Sequence, residues 1–297
     1  MTKETQSAPL DPAGPFKQFA LKLFGWFARG TGTEKTLHRV APRVTSLRTF
    51  ISNVCLVGNP IGEDDEKSWS LIDAGMPQST ERIVKASEKL FGRDTRPEAI
   101  LLTHGHFDHV GALVELVRYW DVPVFAHEDE IPYLTGKRFY PKPDPHASRG
   151  VMAKISPLFP KEPINLTGRV HPLPAEGWVP GLPDWRWIHT PGHTPGHVSF
   201  FRDGDRVLIA GDAFTTVKQE EAGAVIVQEK DLSGPPAYFT PDWEAAKDSI
   251  WQLAALRPSV AVAGHGPAIR GSDLAGHLTE LARNFDQIVK PKSGRSG

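Results

Sequence analysis

From Val44 onward, short apolar runs broken by Gly and Pro alternate with longer stretches whose apolar residues recur three and four apart. Residues 44–57 carry Val44, Leu47, Phe50, Ile51, Val54, Leu56 and Val57 and read as β structure. The acidic stretch Gly62-Glu-Asp-Asp-Glu-Lys67 reads as a solvated hairpin turn, and Trp69–Ile72 as a second strand ending in Asp73-Ala-Gly75. Residues 78–91 predict a helix capped by Ser79 or Thr80, with Ile83, Val84, Ala86, Ser87 and Leu90 along one side. A strand at 98–102, a helix at 111–119 and a buried strand at 123–126 follow. Residues 136–165 then break the rhythm. Tyr140-Pro-Lys-Pro-Asp-Pro145 leads into an apolar segment around Met152, Ile155, Leu158 and Phe159. A proline-stiffened insertion of this length reads as a lid or pocket wall, or else as a surface elaboration.

The second half repeats the first in kind. Trp185–Ile188 reads as a strand, and 198–201 with 206–210 as a hairpin across Asp203-Gly204. Residues 242–256 read as a helix capped by Asp242 or Thr240, 259–263 as a strand, and 272–289 as a last helix. No linker divides the chain after 44, so the expected organisation is one domain over 44–297 behind an N-terminal extension, 1–43. Residues 1–15, rich in Pro, Ser, Thr and Ala, read as disordered. Phe16, Phe19, Leu23 and Phe27 recur at helical spacing and predict a short amphipathic helix, docked on its own domain or joining two copies in a homodimer; a membrane-surface anchor is the alternative, with only Lys17 and Lys22 to supply positive charge.

Composition narrows the function classes. The formal net charge is -1, with Lys and Arg dispersed, which argues against nucleic-acid binding and against a polybasic membrane patch. No stretch approaches 18 consecutive apolar residues, so no integral membrane association is expected. The first fifteen residues lack the basic start of a secretory signal, and the cytoplasm is the expected location. The single Cys55 rules out an intramolecular disulfide and any CxxC site; its apolar surroundings make it a packing residue.

The chemistry is concentrated at strand ends. Thr103-His-Gly-His-Phe-Asp-His-Val-Gly111 places three histidines and one aspartate within six residues, directly after the apolar run Ala99–Leu102. If that peptide is extended or tightly turned, His104 and His106 project together and bind one metal, while Asp108 and His109 face a second. His193, Asp212 and His265 each follow a further apolar run. Imidazoles with carboxylates suit Zn²⁺ first, with Fe²⁺ or Mn²⁺ as alternatives; a carboxylate between two cations can bridge them, and water shared there becomes hydroxide near neutral pH. His189 and His197 flank His193 and read as groups that stabilise the turn or orient a ligand. His127, opening a helix, reads as a cap. Phe107, Phe214 and His146 are the candidate substrate contacts. A small-molecule substrate is the expected partner.

With H-x-H-x-D-H at 104–109, Thr-Pro-Gly-His193, Gly211-Asp212 and Gly-His265 in order, the chain resembles metallo-β-lactamase-superfamily hydrolases over about 44–289. The resemblance implies an α/β fold, a four-layer αββα sandwich, with two divalent metal ions at one edge. It implies His104, His106 and His193 on one metal, Asp108, His109 and His265 on the other, and Asp212 bridging. Asp73 matches the family's aspartate that orients a metal-bound histidine. Thr-Pro-Gly-His193 with Gly211-Asp212 is similar to glyoxalase II-like thioesterases and to lactonases. The implied reaction is hydrolysis of a lactone, thioester or carboxylic ester, with Asp108 as catalytic proton carrier. Iron-dependent redox chemistry, β-lactam or phosphoester hydrolysis, and non-catalytic metal binding are the alternatives.

Overall fold

A computed structural model describes residues 37–61, 68–146, 154, 156, 164–217 and 232–289. The first sheet contains β1 (Leu37–Ala41), β2 (Val44–Thr49), β3 (Ser52–Gly58), β4 (Trp69–Ile72), β5 (Ile100–Leu101), β6 (Val124–Ala126) and β7 (Val170–Pro172), adjacent in chain order. It is antiparallel from β1 to β4 and parallel from β4 to β7. The second holds β8 (Trp178–Val179), β9 (Leu182–His189), β10 (Val198–Arg202), β11 (Val207–Gly211), β12 (Val260–Ala263) and β13 (Ile269–Arg270), in reverse order across the sheet. Only its β11–β12 pair is parallel.

Strand alternation builds four layers. Val54 and Leu56 of β3 point to one face, where they pack with Ile83, Ala86 and Phe91 of α1 (Thr80–Phe91) and Leu113, Leu116 and Trp120 of α2 (Leu113–Trp120). Trp69 anchors this core, stacked on Phe91 at 4.7 Å and edge-on to Trp120 at 5.5 Å. Cys55 and Val57 point to the opposite face and meet Val198, Phe200, Val207 and Ile209 of the second sheet. Burial and the nearby Asp73 charge push the Cys55 thiol far up, as a packing role requires. Phe201 and Leu208 turn away from that inner core. They pack on Ile250 and Leu253 of α4 (Trp243–Ala255) and on Leu278 and Leu281 of α5 (Leu274–Arg283), reached after the short α3 (Ile131–Leu134). The result is the expected αββα sandwich.

Several elements differ from the sequence expectation. The sheet begins at Leu37, inside the segment read as the extension, because β1 is an edge strand with exposed His38 and Arg39 and no alternation to mark it. Residues 44–57 form a hairpin rather than one strand. Its turn is Phe50-Ile51, with Phe50 at φ +67, so the turn is made by apolar residues that carry no turn signal. The last helix stops at Asn284 and restarts as α6 (Phe285–Ile288). Asp242 caps α4 by accepting from the Ala245 N–H at 3.0 Å, whereas Ser79 precedes α1 with no side-chain cap bond. The 16–28 helix, the acidic tip 62–67 and most of the 147–163 segment lie outside the described residues.

Candidate metal centre

Strand ends from both sheets converge on one edge of the sandwich. β4 ends at Asp73, β5 runs into Thr103–Val110, β9 into the His193 turn, β11 into Asp212 and β12 into His265. The Val198 N–H donates to the Thr103 carbonyl at 2.9 Å, so the two ligand-bearing segments are tied across the sheets. Gly264 is required by proximity: a Cβ there would stand 2.0 Å from Asp212 Oδ1 and 2.7 Å from the His109 ring.

The structure brings all seven expected ligands together, all buried. Their donor atoms form three overlapping groups: His104/His106/His193, His104/His109/Asp212, and Asp108/His109/His265. Asp212 stands between the groups. Its Oδ2 is 3.4 Å from His193 Nε2 and 3.2 Å from His265 Nε2, and its Oδ1 is 3.4 Å from His109 Nε2. Asp108 Oδ2 lies 3.3 Å from His265 Nε2.

The surrounding partners fix which ring nitrogens face inward. His109 Nδ1 donates to Asp73 Oδ2 at 2.9 Å, and His265 Nδ1 to the Ile51 carbonyl at 2.9 Å. Thr103 Oγ1 donates to Asp73 Oδ2, leaving its lone pair to accept from His104 Nδ1 at 3.0 Å. Thr240 Oγ1 donates to the Pro236 carbonyl and accepts from His193 Nδ1 at 3.2 Å. Each of these four histidines therefore turns its Nε2 into the site. His193 Nε2 faces His106 Nδ1 at 2.9 Å.

Titration follows the same division. Burial holds His104 and His193 well below the ordinary imidazole range and His106 down to about 4, so these three are neutral ligand-type nitrogens. Burial opposes the charge on His109 and His265 too. Asp212 and its neighbouring carboxylates overcome it, raising His109 well above its usual value and His265 to about 10. Burial likewise works against the carboxylates, but the adjacent His109 and His265 hold Asp108 below and Asp212 well below their ordinary range. Without a metal, protons on His109 and His265 thus stand where cationic charge is needed.

The profile of the metallo-beta-lactamase superfamily matches residues 47–265 of this sequence. The chain belongs to that superfamily. It is 49% identical over 248 residues to a probable metallo-hydrolase, YflN, of Bacillus subtilis (strain 168), covering 84% of this chain and 93% of the relative. A hydroxyacylglutathione hydrolase, GloC, of Haemophilus influenzae is 32% identical over 149 residues, covering 50% of this chain and 62% of the relative. The solved structure of BJP-1, a subclass B3 metallo-beta-lactamase of Bradyrhizobium japonicum, superposes with a TM-score of 0.54 at 20% identity, covering 85% of this chain and 92% of that one; this likeness concerns the fold alone.

The superfamily implies bound metal, and the residues fit it. His104 Nε2, His109 Nε2 and Asp212 Oδ1 are buried without a hydrogen-bond partner, and in a native core such orphaned atoms call for an occupant. Two imidazole groups sharing a carboxylate are a donor set for divalent cations.

The remaining sequence candidates scatter. Asp73, at φ +61, accepts from the Thr103 N–H at 2.8 Å as well as from His109, so it does contact a ligand. His189 is not at the ligands. Its Nε2 bonds the Pro195 carbonyl at 2.8 Å and its ring stacks on His127, because β9 turns that side chain outward. His197 takes the inner position instead: its Nε2 accepts the Asp212 N–H at 2.8 Å, and burial lowers it to about 3. His127 caps the turn at 128–130, its Nδ1 accepting from the Asp129 N–H at 3.3 Å. Phe214 is fully buried in the core under α4 and α5, which removes it as a substrate contact. His146 is exposed and does not line the pocket beside the metal site. Phe107 is half-buried, edge-on to Phe239 at 6.4 Å.

That pocket, about 100 Å³, opens onto His106 and His193 between Tyr140, Phe239, Thr240 and Trp243. The Asp144 N–H donates to the Tyr238 carbonyl at 2.9 Å, joining the start of the proline-rich insertion to the 237–240 segment. From sequence the insertion was either a pocket wall or a surface elaboration, and neither Tyr140 nor its buried partner Glu130 stood out.

Proposed function

We propose that this protein is a metal-dependent hydrolase of an ester-like bond: a lactone, thioester or carboxylic ester. The observation that carries the reading is Asp212, its carboxylate set between two groups of inward-turned imidazole nitrogens. His104, His106 and His193 would hold one divalent ion, Asp108, His109 and His265 a second, and Asp212 both; Zn²⁺ fits this donor set first. Ions held there supply Lewis acidity, which polarises a carbonyl and makes water nucleophilic near neutral pH. The relatives named probable metallo-hydrolase and hydroxyacylglutathione hydrolase support the reaction class.

The chain's own groups do the rest. Tyr140, Phe239 and Trp243 wall the pocket beside His106 and His193, where they seat the apolar part of an acyl substrate and exclude water. Asp108, its Oδ2 3.3 Å from His265 Nε2, holds at Oδ2 the proton given up by the attacking water and passes it to the leaving oxygen or sulfur. Asp108→Asn removes the carboxylate that accepts the proton. In a panel of lactones, thioesters and esters, the zinc-loaded variant is expected to lose at least a hundredfold in kcat while keeping most of its metal by elemental analysis. Full turnover in that variant rejects Asp108 as proton carrier. A wild-type protein that carries one iron per chain and consumes oxygen rejects the hydrolase.

A further inference from the structure

Among the described residues, the metal site leaves one buried carboxylate unused. Glu130, at the end of the turn after β6, has no exposed surface. Its Oε1 accepts the Gly196 N–H at 3.0 Å and its Oε2 the Gly105 N–H at 2.9 Å. The Tyr140 hydroxyl donates to the same Oε2 and also lies 3.1 Å from the Gly105 nitrogen. Gly105 separates His104 from His106, and Gly196 follows His193 by three residues. One carboxylate therefore holds the two loops that supply the three-histidine group, one loop from each half of the sandwich. The fit is close: a Cβ on Gly196 would stand 2.8 Å from Glu130 Cγ. Tyr140 adds a second restraint. Its ring lies 4.5 Å from that of His106 and is stacked at 4.0 Å on Tyr133 of α3. Its hydroxyl is committed to Glu130, so Tyr140 offers the pocket only its ring.

We propose that Glu130, completed by Tyr140, is a positioning residue that sets the separation of the His104/His106 loop from the His193 loop and thereby the affinity of the three-histidine metal site. The second group, Asp108, His109 and His265, is held by other bonds, from Asp73, Ser52 and Ile51, and does not depend on this clasp. The inference rests on the metal-ligand assignment above and not on any substrate.

Glu130→Gln keeps the shape but supplies one acceptor oxygen where two are needed. Whichever way the amide is turned, one of the two glycine N–H groups faces an NH₂. The test is a Co²⁺ titration of the metal-free full-length chain, read by visible absorption and by equilibrium competition with a chelator. Two Co²⁺ ions are expected to bind the wild type. In Glu130→Gln one of the two affinities is expected to fall tenfold to a hundredfold, with altered absorption bands, while the other is unchanged. Tyr140→Phe, which removes one donor and almost no volume, is expected to lower the same affinity a few-fold, and it carries the test if Glu130→Gln does not fold. Unchanged Co²⁺ binding in the folded variants overturns the clasp, and so does equal weakening of both sites. Failure of the wild type to bind Co²⁺ would instead reject the metal-ligand assignment itself.

Discussion

At the scale of single residues, the site is a problem of aiming nitrogens. Asp73 accepts three hydrogen bonds, two from Thr103 and one from His109, and through Thr103 Oγ1 it also governs His104. Replacing it by Asn exchanges one acceptor oxygen for a donor, so either His109 Nδ1–H or a Thr103 donor loses its partner. Asp73→Asn is expected to weaken zinc binding tenfold to a hundredfold, measured by competition with a chromophoric chelator. An affinity equal to that of the wild type would show that these rings are aimed by packing alone. The seven candidate ligands were legible because the four segments that carry them each follow an apolar run that marks a strand end. Glu130 was not, since Glu128-Asp129-Glu130 reads like any solvated acidic turn. His189 and His197 could not be ranked by spacing: which one turns inward depends on how β9 and β10 pair, with His189 opposite Val198.

At the scale of elements, the β2–β3 hairpin performs a task its sequence does not announce. Ser52 Oγ donates to the Asp108 carbonyl at 2.6 Å, Ile51 receives His265 Nδ1, and Asn53 Nδ2 donates to the Ala263 and Gly266 carbonyls. One turn of the first sheet thus braces ligand loops from both halves. Ser52→Ala leaves the buried Asp108 carbonyl without this donor and is expected to destabilise the fold by about 1–2 kcal/mol in urea unfolding. A change below about 0.5 kcal/mol would show that the carbonyl is otherwise satisfied. The hairpin escaped the sequence reading because Phe50-Ile51 supplies apolar side chains at a turn, with the strain of a left-handed Phe carried by the tertiary contacts around it.

At the scale of the whole molecule, the two halves meet at a buried electrostatic centre, and this sets how stability responds to pH and metal. His109 and His265 have folded values above their unfolded ones in the metal-free chain. Both contributions are full below about 6.5; that of His265 is lost as pH rises toward about 10, and that of His109 as pH rises through its own raised value. His106 and His197, lowered to about 4 and about 3, act in the opposite direction and cost stability as pH falls below about 6.5. The metal-free chain is therefore expected to melt highest near pH 6.5, with Tm falling on both sides. On the proposed assignment divalent metal would take the place of the protons on His109 and His265, so loading at pH 7 should release protons, seen as a dependence of calorimetric enthalpy on the buffer. Metal-loaded protein should lose less Tm between pH 7 and 9 than chelator-treated protein. A Tm of the metal-free chain that is flat from pH 6 to 9 would contradict the charge assignment.

The sequence by itself determined the ligand-type residues, their order and the succession of strands and helices; the four-layer architecture was implied by the resemblance to a family. Alternation and helical spacing report which face of each element is buried, and a polar ligand at the end of an apolar run is conspicuous. Only the tertiary structure decided which groups hold those ligands in place, which histidine lies beneath Asp212, and which aromatics face the pocket. Phe214 and Tyr140 show why. Both are aromatic residues near a ligand loop in sequence, yet one fills the core under α4 and the other walls the pocket. That difference is made by contacts between residues far apart in the chain, and local pattern carries no record of them.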